Sequence, residues 1–294
     1  MTTADILRLV ALAAIWGGSY SFMRAVAPVF GGVGTMWLRI SIAAVVLLLY
    51  ALAAREDLQF RKWWKQFLFI GCLNSALPFA LIAYAMQTLP VGYGAILNAI
   101  APFFAALFAA KMLGERLTGL RLFGMVLGFV GVAIIINLGP LPLTGSVLLA
   151  TAACIAATCC YGFIIVYTKQ HTRDAPQIGM AVGTLLLPAI LTAPLAVVVI
   201  PHARPTLNVA LSLLGLAVLC SAIAYLLYYR LIRDIGPTRA ISTTFMIPVF
   251  AALWGALFFG ETPNSGVLVG GVTVLVGVAL VLGLLPLRRV NTIT

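Results

Sequence analysis

Residues 74–137 of this chain align without a gap on residues 220–283. Asn74-Ser75-Ala76 falls on Cys220-Ser221-Ala222, and Pro102-Phe103-Phe104-Ala105-Ala106-Leu107 falls on Pro248-Val249-Phe250-Ala251-Ala252-Leu253. Gly114-Glu115 falls on Gly260-Glu261, and Gly131-Val132-Ala133 on Gly277-Val278-Ala279. One residue of slippage adds Trp16-Gly17 and Tyr161-Gly162. Each half reads as five hydrophobic spans. Five is odd, so the second half is expected to enter the membrane from the opposite face. Two inverted halves around a midplane site are a common build of secondary transporters.

Only 9% of the 294 residues are charged and 63% are hydrophobic, whereas soluble domains carry about 25% charged residues. One or two soluble cores cannot hide that apolar fraction. Arg8 before an apolar run imitates a signal peptide. No small-residue cleavage site follows and span succeeds span, so the start reads as a retained first helix. The net charge of +11 does not mark a nucleic-acid binder, because the basic residues sit in short loops between spans. Cys72, Cys154, Cys159, Cys160 and Cys220 all lie in predicted spans without a C-x-x-C pair. They read as small buried hydrophobes rather than disulfide or metal partners.

A helix crosses the hydrocarbon with about 20 apolar residues. On that ruler the spans are about 5–26, 33–53, 65–87, 91–112, 119–138, 145–168, 177–200, 207–229, 239–259 and 265–286. Short connections rich in turn residues, such as Gly139-Pro140-Leu141-Pro142, separate them. With the N-terminus inside, fifteen Lys and Arg residues fall on the inner face, and only Arg24, Arg39 and Arg204 on the outer half. Both termini are therefore expected to be cytoplasmic. Glu115 then lies inside and its mate Glu261 outside.

Prolines interrupt several spans at mid-depth: Pro78, Pro102 and the latter's mate Pro248. A helical proline leaves the carbonyl four residues earlier without a donor. Those carbonyls belong to Asn74, Asn98 and Thr244, all polar in otherwise apolar helices. Such irregular backbone is tolerated where protein buries it or where it lines a wet cavity. The three side chains either line a cavity or only glue helices together. Trp16 and Tyr161 are repeat mates too deep for the interfacial aromatic belt, and they either pack helices or wall a site. Tyr20, Tyr84, Tyr93 and Tyr225 also lie within spans, whereas Trp37, Trp63, Trp64 and Tyr50 read as belt residues. Gly124, Gly128 and Gly131 make a small-residue stripe, as do Gly266, Gly270 and Gly277. Such stripes suit close packing or a dimer surface.

All seven acidic residues sit near predicted span ends, whereas proton and sodium carriers usually bury such groups mid-membrane. Movement down the substrate's own gradient, or by exchange, is the expectation. Arg24 and Arg39 lie toward the outer end and are expected to snorkel. His171 and His202 are loop residues. Walker A, H-E-x-x-H and G-x-S-x-G motifs are absent from the sequence.

Trp16-Gly17-Gly18-Ser19, Leu38-Arg39, and Gly114-Glu115-Arg116-Leu117-Thr118 followed by Gly124 and Gly131 resemble the EamA family of the drug/metabolite transporter superfamily. The likeness covers almost the whole chain. It implies ten helices in inverted five-helix repeats, with a central cavity lined mainly by spans 1, 3, 4, 6, 8 and 9. Within the family the chain is most similar to YddG-type exporters of aromatic amino acids and related metabolites.

The resulting expectation is an all-α integral membrane protein of ten transmembrane helices. Residues 1–140 and 141–294 form its two inverted repeats, set as one unit in the bacterial inner membrane. It would export small, largely apolar metabolites, amino acids including aromatic ones, by alternating access. The candidate substrate-binding residues are Trp16, Tyr20, Asn74, Pro78, Tyr84, Asn98, Tyr161, Tyr225 and Thr244, with Pro102 and Pro248 as hinges. No catalytic residue, metal, cofactor or nucleic-acid partner is expected, and the partners are the substrate and the bilayer, with the protein a monomer or weak homodimer. The rivals are a broad drug or cation exporter and a non-transporting scaffold or receptor. In a cysteine-free background, Ser265→Cys and Thr118→Cys are expected to label from opposite faces. Labelling of both from one face would remove the inverted arrangement.

Overall fold

The computed structural model describes residues 2–138, 141–200, 204–235 and 243–282, and among them every regular element is helical. Helix α1, Thr3–Ala53, starts on a capping box: Thr2 Oγ1 accepts from the Asp5 N–H, and the Asp5 carboxylate accepts from the Thr2 N–H at 2.8 Å. One residue inside it is non-helical, Gly31 at φ 68° and ψ 176°, three positions after Pro28. Only glycine takes that conformation cheaply. The expected spans 5–26 and 33–53 are thus joined at a single residue rather than by a loop.

Helix α2 (Phe60–Gly71) widens into a π segment (Cys72–Ala76) and continues as α3 (Leu77–Ala85). Helices α4 (Val91–Asn98) and α5 (Ala101–Leu113) are parted by a turn at Ala99 and Ile100, and α6 (Gly119–Leu138) closes the first half. The second half runs through α7 (Gly145–His171), α8 (Gln177–Val199) and α9 (Leu207–Leu214). A second π segment (Gly215–Ile223) leads into α10 (Ala224–Ile235), followed by α11 (Thr243–Phe259) and α12 (Ser265–Val281). Six stretches are long and apolar enough to cross a membrane: Thr3–Ala53, Phe60–Ala85, Val91–Leu113, Gly145–His171, Gln177–Val199 and Leu207–Tyr228. Gly119–Ile135, Met246–Phe259 and Ser265–Val281 are shorter and equally apolar. Large apolar side chains such as Phe123, Val198, Phe258 and Val272 face outward, an arrangement that suits lipid and not water.

Aligned positions of the two halves behave alike. Gly114 and Gly260 both follow a helix end with positive φ, at 69° and 63°, the left-handed stop that glycine favours. The two π segments also cover aligned residues. Pro78 follows the first, but Ala224 stands at that place in the second, so proline is not their common cause. In the second, Ser221 Oγ donates to the Leu216 carbonyl at 3.2 Å and supports the widened turn.

Helix contacts repeat as well. Gly17 lies so close to Phe250 and Ala251 of α11 that a Cβ there would collide, and Gly162 sits in the same way on Phe104 and Ala105 of α5. Along α6 and α12 the pairing is crossed. A Cβ on Gly124 would lie 2.7 Å from the Gly277 oxygen, and one on Gly131 would lie 2.8 Å from the Gly270 oxygen. The aligned mate of Gly124 is Gly270 and that of Gly131 is Gly277. The two stripes therefore pack on each other within one chain. Gly131→Ala is expected to lower thermal stability in detergent by about 1–3 kcal/mol through overpacking. Gly119→Ala, where a Cβ meets open space, serves as the neutral control. Equal melting temperatures for the two variants would contradict this packing.

Candidate functional site

Polar side chains from both halves converge in the middle of the helices. Asn74 and Ser75 lie on the first π segment, Cys220 and Ser221 on the second, and Asn98 at the broken end of α4. That helix stops there because Pro102, in the first turn of α5, has no N–H to extend the ladder. Tyr20 and Arg39 come from the two segments of α1, Tyr161 from α7 and Tyr225 from α10.

Asn74 Nδ2 donates to the Tyr225 hydroxyl at 3.5 Å. Tyr20, buried at 4% exposure, has Asn98 as a side-chain hydrogen-bond partner and lies within electrostatic reach of Tyr161, Cys154 and Arg39. Tyr161 in turn adjoins Arg39 and Tyr225. Arg39 Nε donates to Ser221 Oγ at 2.8 Å, Nη1 lies 3.7 Å from Met23 Sδ, and the guanidinium stacks 3.7 Å over the Phe79 ring. Asn98 Oδ1 is buried and lacks a hydrogen-bond partner, and Ser75 lies against the Tyr225 hydroxyl.

Of the sequence-predicted residues, the structure gathers Tyr20, Asn74, Asn98, Tyr161 and Tyr225. Trp16 is half-buried next to them and packs on Tyr228 at 5.3 Å between ring centres. Pro78 is buried in the first turn of α3. Tyr84 is 40% exposed, against Gly32, and stands apart from the cluster. The side chain of Thr244 lies outside the described residues. Pro102 begins a new helix, whereas its mate Pro248 lies inside the continuous α11, so the two prolines act differently on the backbone.

Arg39 corrects the expectation of snorkelling. At 4% exposure it cannot reach the outer interface, and its partners hold it at the centre. Trp63 is buried against its neighbours, and Trp37 Nε1 donates to the Ala189 carbonyl at 2.9 Å. Sequence reasoning missed Ser75, Ser221 and Phe79 as neighbours of the centre. The available signal was that Ser75 and Ser221 are identical at aligned positions beside Asn74.

Two cavities lie elsewhere. One of about 640 Å³ is an apolar groove between α1, α9 and α11, lined by Ala14, Gly18, Phe22, Ser212, Trp254 and Phe258. One of about 300 Å³ lies by Glu261 and Pro90. Neither is lined by the predicted site residues. Among the described residues no group of three His, Cys, Asp or Glu side chains could hold a metal ion.

Two ion-pair clusters occupy aligned positions at the ends of the helices. Arg24 Nε pairs with Glu261 Oε1 at 3.3 Å, and Arg24 Nη1 donates to the Leu89 carbonyl at 2.7 Å. Glu261 Oε2 accepts from the Val91 N–H at 2.8 Å, at the start of α4. Burial pushes the Glu261 carboxyl above the usual range, against the opposing pull of Arg24 and the Val91 and Gly92 N–H groups. In the other half Lys169 Nζ lies 3.6 Å and Arg121 Nη1 3.7 Å from Glu115, and all three are more exposed. Glu115 is the mate of Glu261 and, with the one-residue slip, Lys169 is the mate of Arg24.

The chain is similar to several known proteins. Threonine/homoserine exporter RhtA of Escherichia coli (strain K12) is 26% identical, over 87% of this chain and 83% of that one. The "Probable terminal-alkyne amino-acid exporter" of Streptantibioticus cattleyicolor is 24% identical over 93% and 91%. "Uncharacterized transporter YvbV" of Bacillus subtilis (strain 168) is 24% identical over 95% and 92%. A crystal structure superposes with a TM-score of 0.67 at 17% identity, covering 95% of this chain and 96% of that one, and so shares the fold. The model of the EamA-like transporter family matches residues 4–137 and again 148–283. With both halves matched, the chain belongs to the EamA-like transporter family.

Proposed function

We propose that this multi-pass membrane transporter exports amino acids, aromatic ones included, and similar small metabolites across the bacterial inner membrane. The substrate site is the polar centre between the halves, and access alternates between the two faces. The observation that carries this reading is the convergence of Tyr20, Asn74, Asn98, Tyr161 and Tyr225 from otherwise apolar helices. Polar groups inside a bilayer are costly and mark substrate pathways. The names of two relatives as amino-acid exporters support the substrate class.

Ten crossings in two inverted repeats, 1–140 and 141–294, complete the proposal. The 51 residues of α1 would extend roughly 75 Å as a straight helix, over twice the hydrocarbon thickness. Its break at Gly31 supports two crossings, and the remaining helical stretches supply eight. The crossed glycine pairs of α6 and α12 and the matching contacts of Gly17 and Gly162 support the pseudo-two-fold relation. The basic-residue asymmetry supports cytoplasmic termini. A cation exporter is disfavoured by Arg39, whose charge lies at the centre with no carboxylate beside it.

The test is purified protein in liposomes, assayed for flux of L-threonine, L-homoserine, L-phenylalanine, L-tryptophan and a quaternary ammonium dye. Saturable amino-acid flux is expected, with Asn74→Ala and Tyr225→Phe lowering it about tenfold. In the same assay Pro102→Ala and Pro248→Ala are expected to slow flux while leaving equilibrium binding nearly intact, because the rate of opening limits turnover. Dye flux without amino-acid flux would replace the proposal with the drug-exporter reading.

The aligned ion-pair clusters mark the two ends in this proposal. The outer one, Arg24 with Glu261, is short and partly buried, and the inner one, Lys169 with Glu115, is looser and exposed. The closed outer end raises the Glu261 carboxyl above the usual range, so it binds a proton more tightly than a solvated carboxylate does. Stability of this closed form therefore rises as pH falls from that raised value toward the ordinary carboxyl range, and is lost as pH rises above it. Melting temperature is expected to climb across that window in wild type and to stay flatter in Glu261→Gln. Identical pH profiles would separate Glu261 from the closure.

A further inference from the structure

We infer that Arg39 is the carboxylate-binding group of the transport centre and that Asn98 Oδ1 accepts from an ammonium group, so that the preferred substrates are zwitterionic α-amino acids. This rests on the central-site reading above and names the chemistry of that site. A guanidinium has five N–H donors. Among the described residues Arg39 uses one on Ser221 Oγ and one toward the weak acceptor Met23 Sδ, while its face lies on Phe79. At 4% exposure the remaining donors have little bulk water to turn to.

Among the described residues no carboxylate answers this charge. Asp5 and Asp234 pair with Arg8, Glu261 with Arg24, and Glu115 with Arg121 and Lys169. Glu56, Asp57 and Asp174 are exposed in connections between helices. A buried charge with only neutral partners is an expensive arrangement for a fold to keep. The second half has no equivalent: α8, the counterpart of the second segment of α1, contains no basic residue. Arg39 is thus a feature of one half alone, as expected of a ligand group and not of a brace required by a five-helix unit.

The surroundings supply the second end of a zwitterion. Asn98 Oδ1 is a buried acceptor without a donor, and Tyr20 adjoins both Asn98 and Arg39. Ser75, at the position aligned with Ser221, which bonds Arg39, lies against the Tyr225 hydroxyl. A carboxylate fits the planar fork of an arginine through two parallel hydrogen bonds, and an ammonium satisfies an amide oxygen. Neither an amine without a carboxylate nor an organic cation answers the Arg39 charge.

The experiment measures binding by calorimetry, and melting temperature, for detergent-purified wild type, Arg39→Gln and Arg39→Lys. The probes are L-phenylalanine, L-phenylalaninamide, 3-phenylpropanoate, L-threonine and L-threoninamide, with inorganic phosphate as competitor. Wild type is expected to prefer each acid over its amide by about tenfold or more. Arg39→Gln is expected to bring that ratio near unity without lowering the melting temperature, since it removes an unpaired buried charge, and Arg39→Lys to keep part of it. Equal binding of acid and amide by wild type overturns the inference. So does a loss in Arg39→Gln that affects acids and amides alike and comes with a lower melting temperature, which is the signature of a brace. Competition by phosphate at amino-acid concentrations marks a general anion site and also overturns it. Amino-acid binding with an unchanged acid-over-amide ratio in Arg39→Gln removes the Arg39 site and leaves the exporter reading standing. Arg39-dependent binding of 3-phenylpropanoate in preference to both amino acids keeps the carboxylate site but removes the amino-acid reading and the role of Asn98. No saturable binding of any probe by wild type overturns both.

Discussion

In hydrocarbon, apolar side chains gain little by leaving lipid for one another, so helices hold together by close contact of their surfaces. Glycine allows that contact to reach the backbone. Gly17, Gly162, Gly124 and Gly131 all meet neighbouring helices at distances that leave no room for a methyl group. Because these glycines recur at aligned positions, the same contacts form twice. The crossed pairing along α6 and α12 joins the two halves without engaging the centre, and leaves α1, α3, α4, α7 and α10 to surround it. Gly31 contributes in another way: its positive φ turns one long helix into two segments, and this brings Tyr20 and Arg39 to the same place.

The centre is where the two halves cease to be equivalent. Both have a π segment at aligned positions and a serine on it, and yet Ser221 bonds Arg39 while Ser75 faces the Tyr225 hydroxyl. Widened turns re-aim side chains and recur at functional sites. Here they present Asn74, Ser75 and Ser221 to the interior at the depth of Tyr161 and Tyr225. A charged group in an apolar helix costs about 3 kcal/mol on insertion scales. One hydroxyl and one ring face offset part of that, and the unanswered remainder is the strongest chemical feature of the molecule.

At the ends, the halves differ in tightness. Glu261 is drawn into the start of α4 by two backbone donors and Arg24, whereas Glu115 stays among exposed Lys and Arg side chains. A chain with pseudo-symmetric halves in one conformation must break that symmetry somewhere. The two ion-pair clusters are a place where the difference is visible in distances and burial.

Much of the architecture was legible because hydrocarbon leaves the backbone few options. Runs of apolar residues can only be helices there, and the self-alignment of 74–137 with 220–283 identifies the contacts that repeat, down to the glycine stripes and the Gly-Glu stops. Polar residues in apolar runs also pointed to Tyr20, Asn74, Asn98, Tyr161 and Tyr225, because lone polar groups in such helices need a reason. The environment of Arg39 was not legible. Its position along the chain placed it two turns from an interface and within reach of water, and nothing local distinguishes a snorkelling arginine from a buried one. The outward placement of Tyr84 was not legible either, since helical register alone did not say which face α3 turns outward. The sequence by itself determined the helices, their repeat and the polar candidates, because these depend on local composition. Which of those groups meet, and that a positive charge is held among them without a counter-charge, was decided only by the packing of helices distant in sequence.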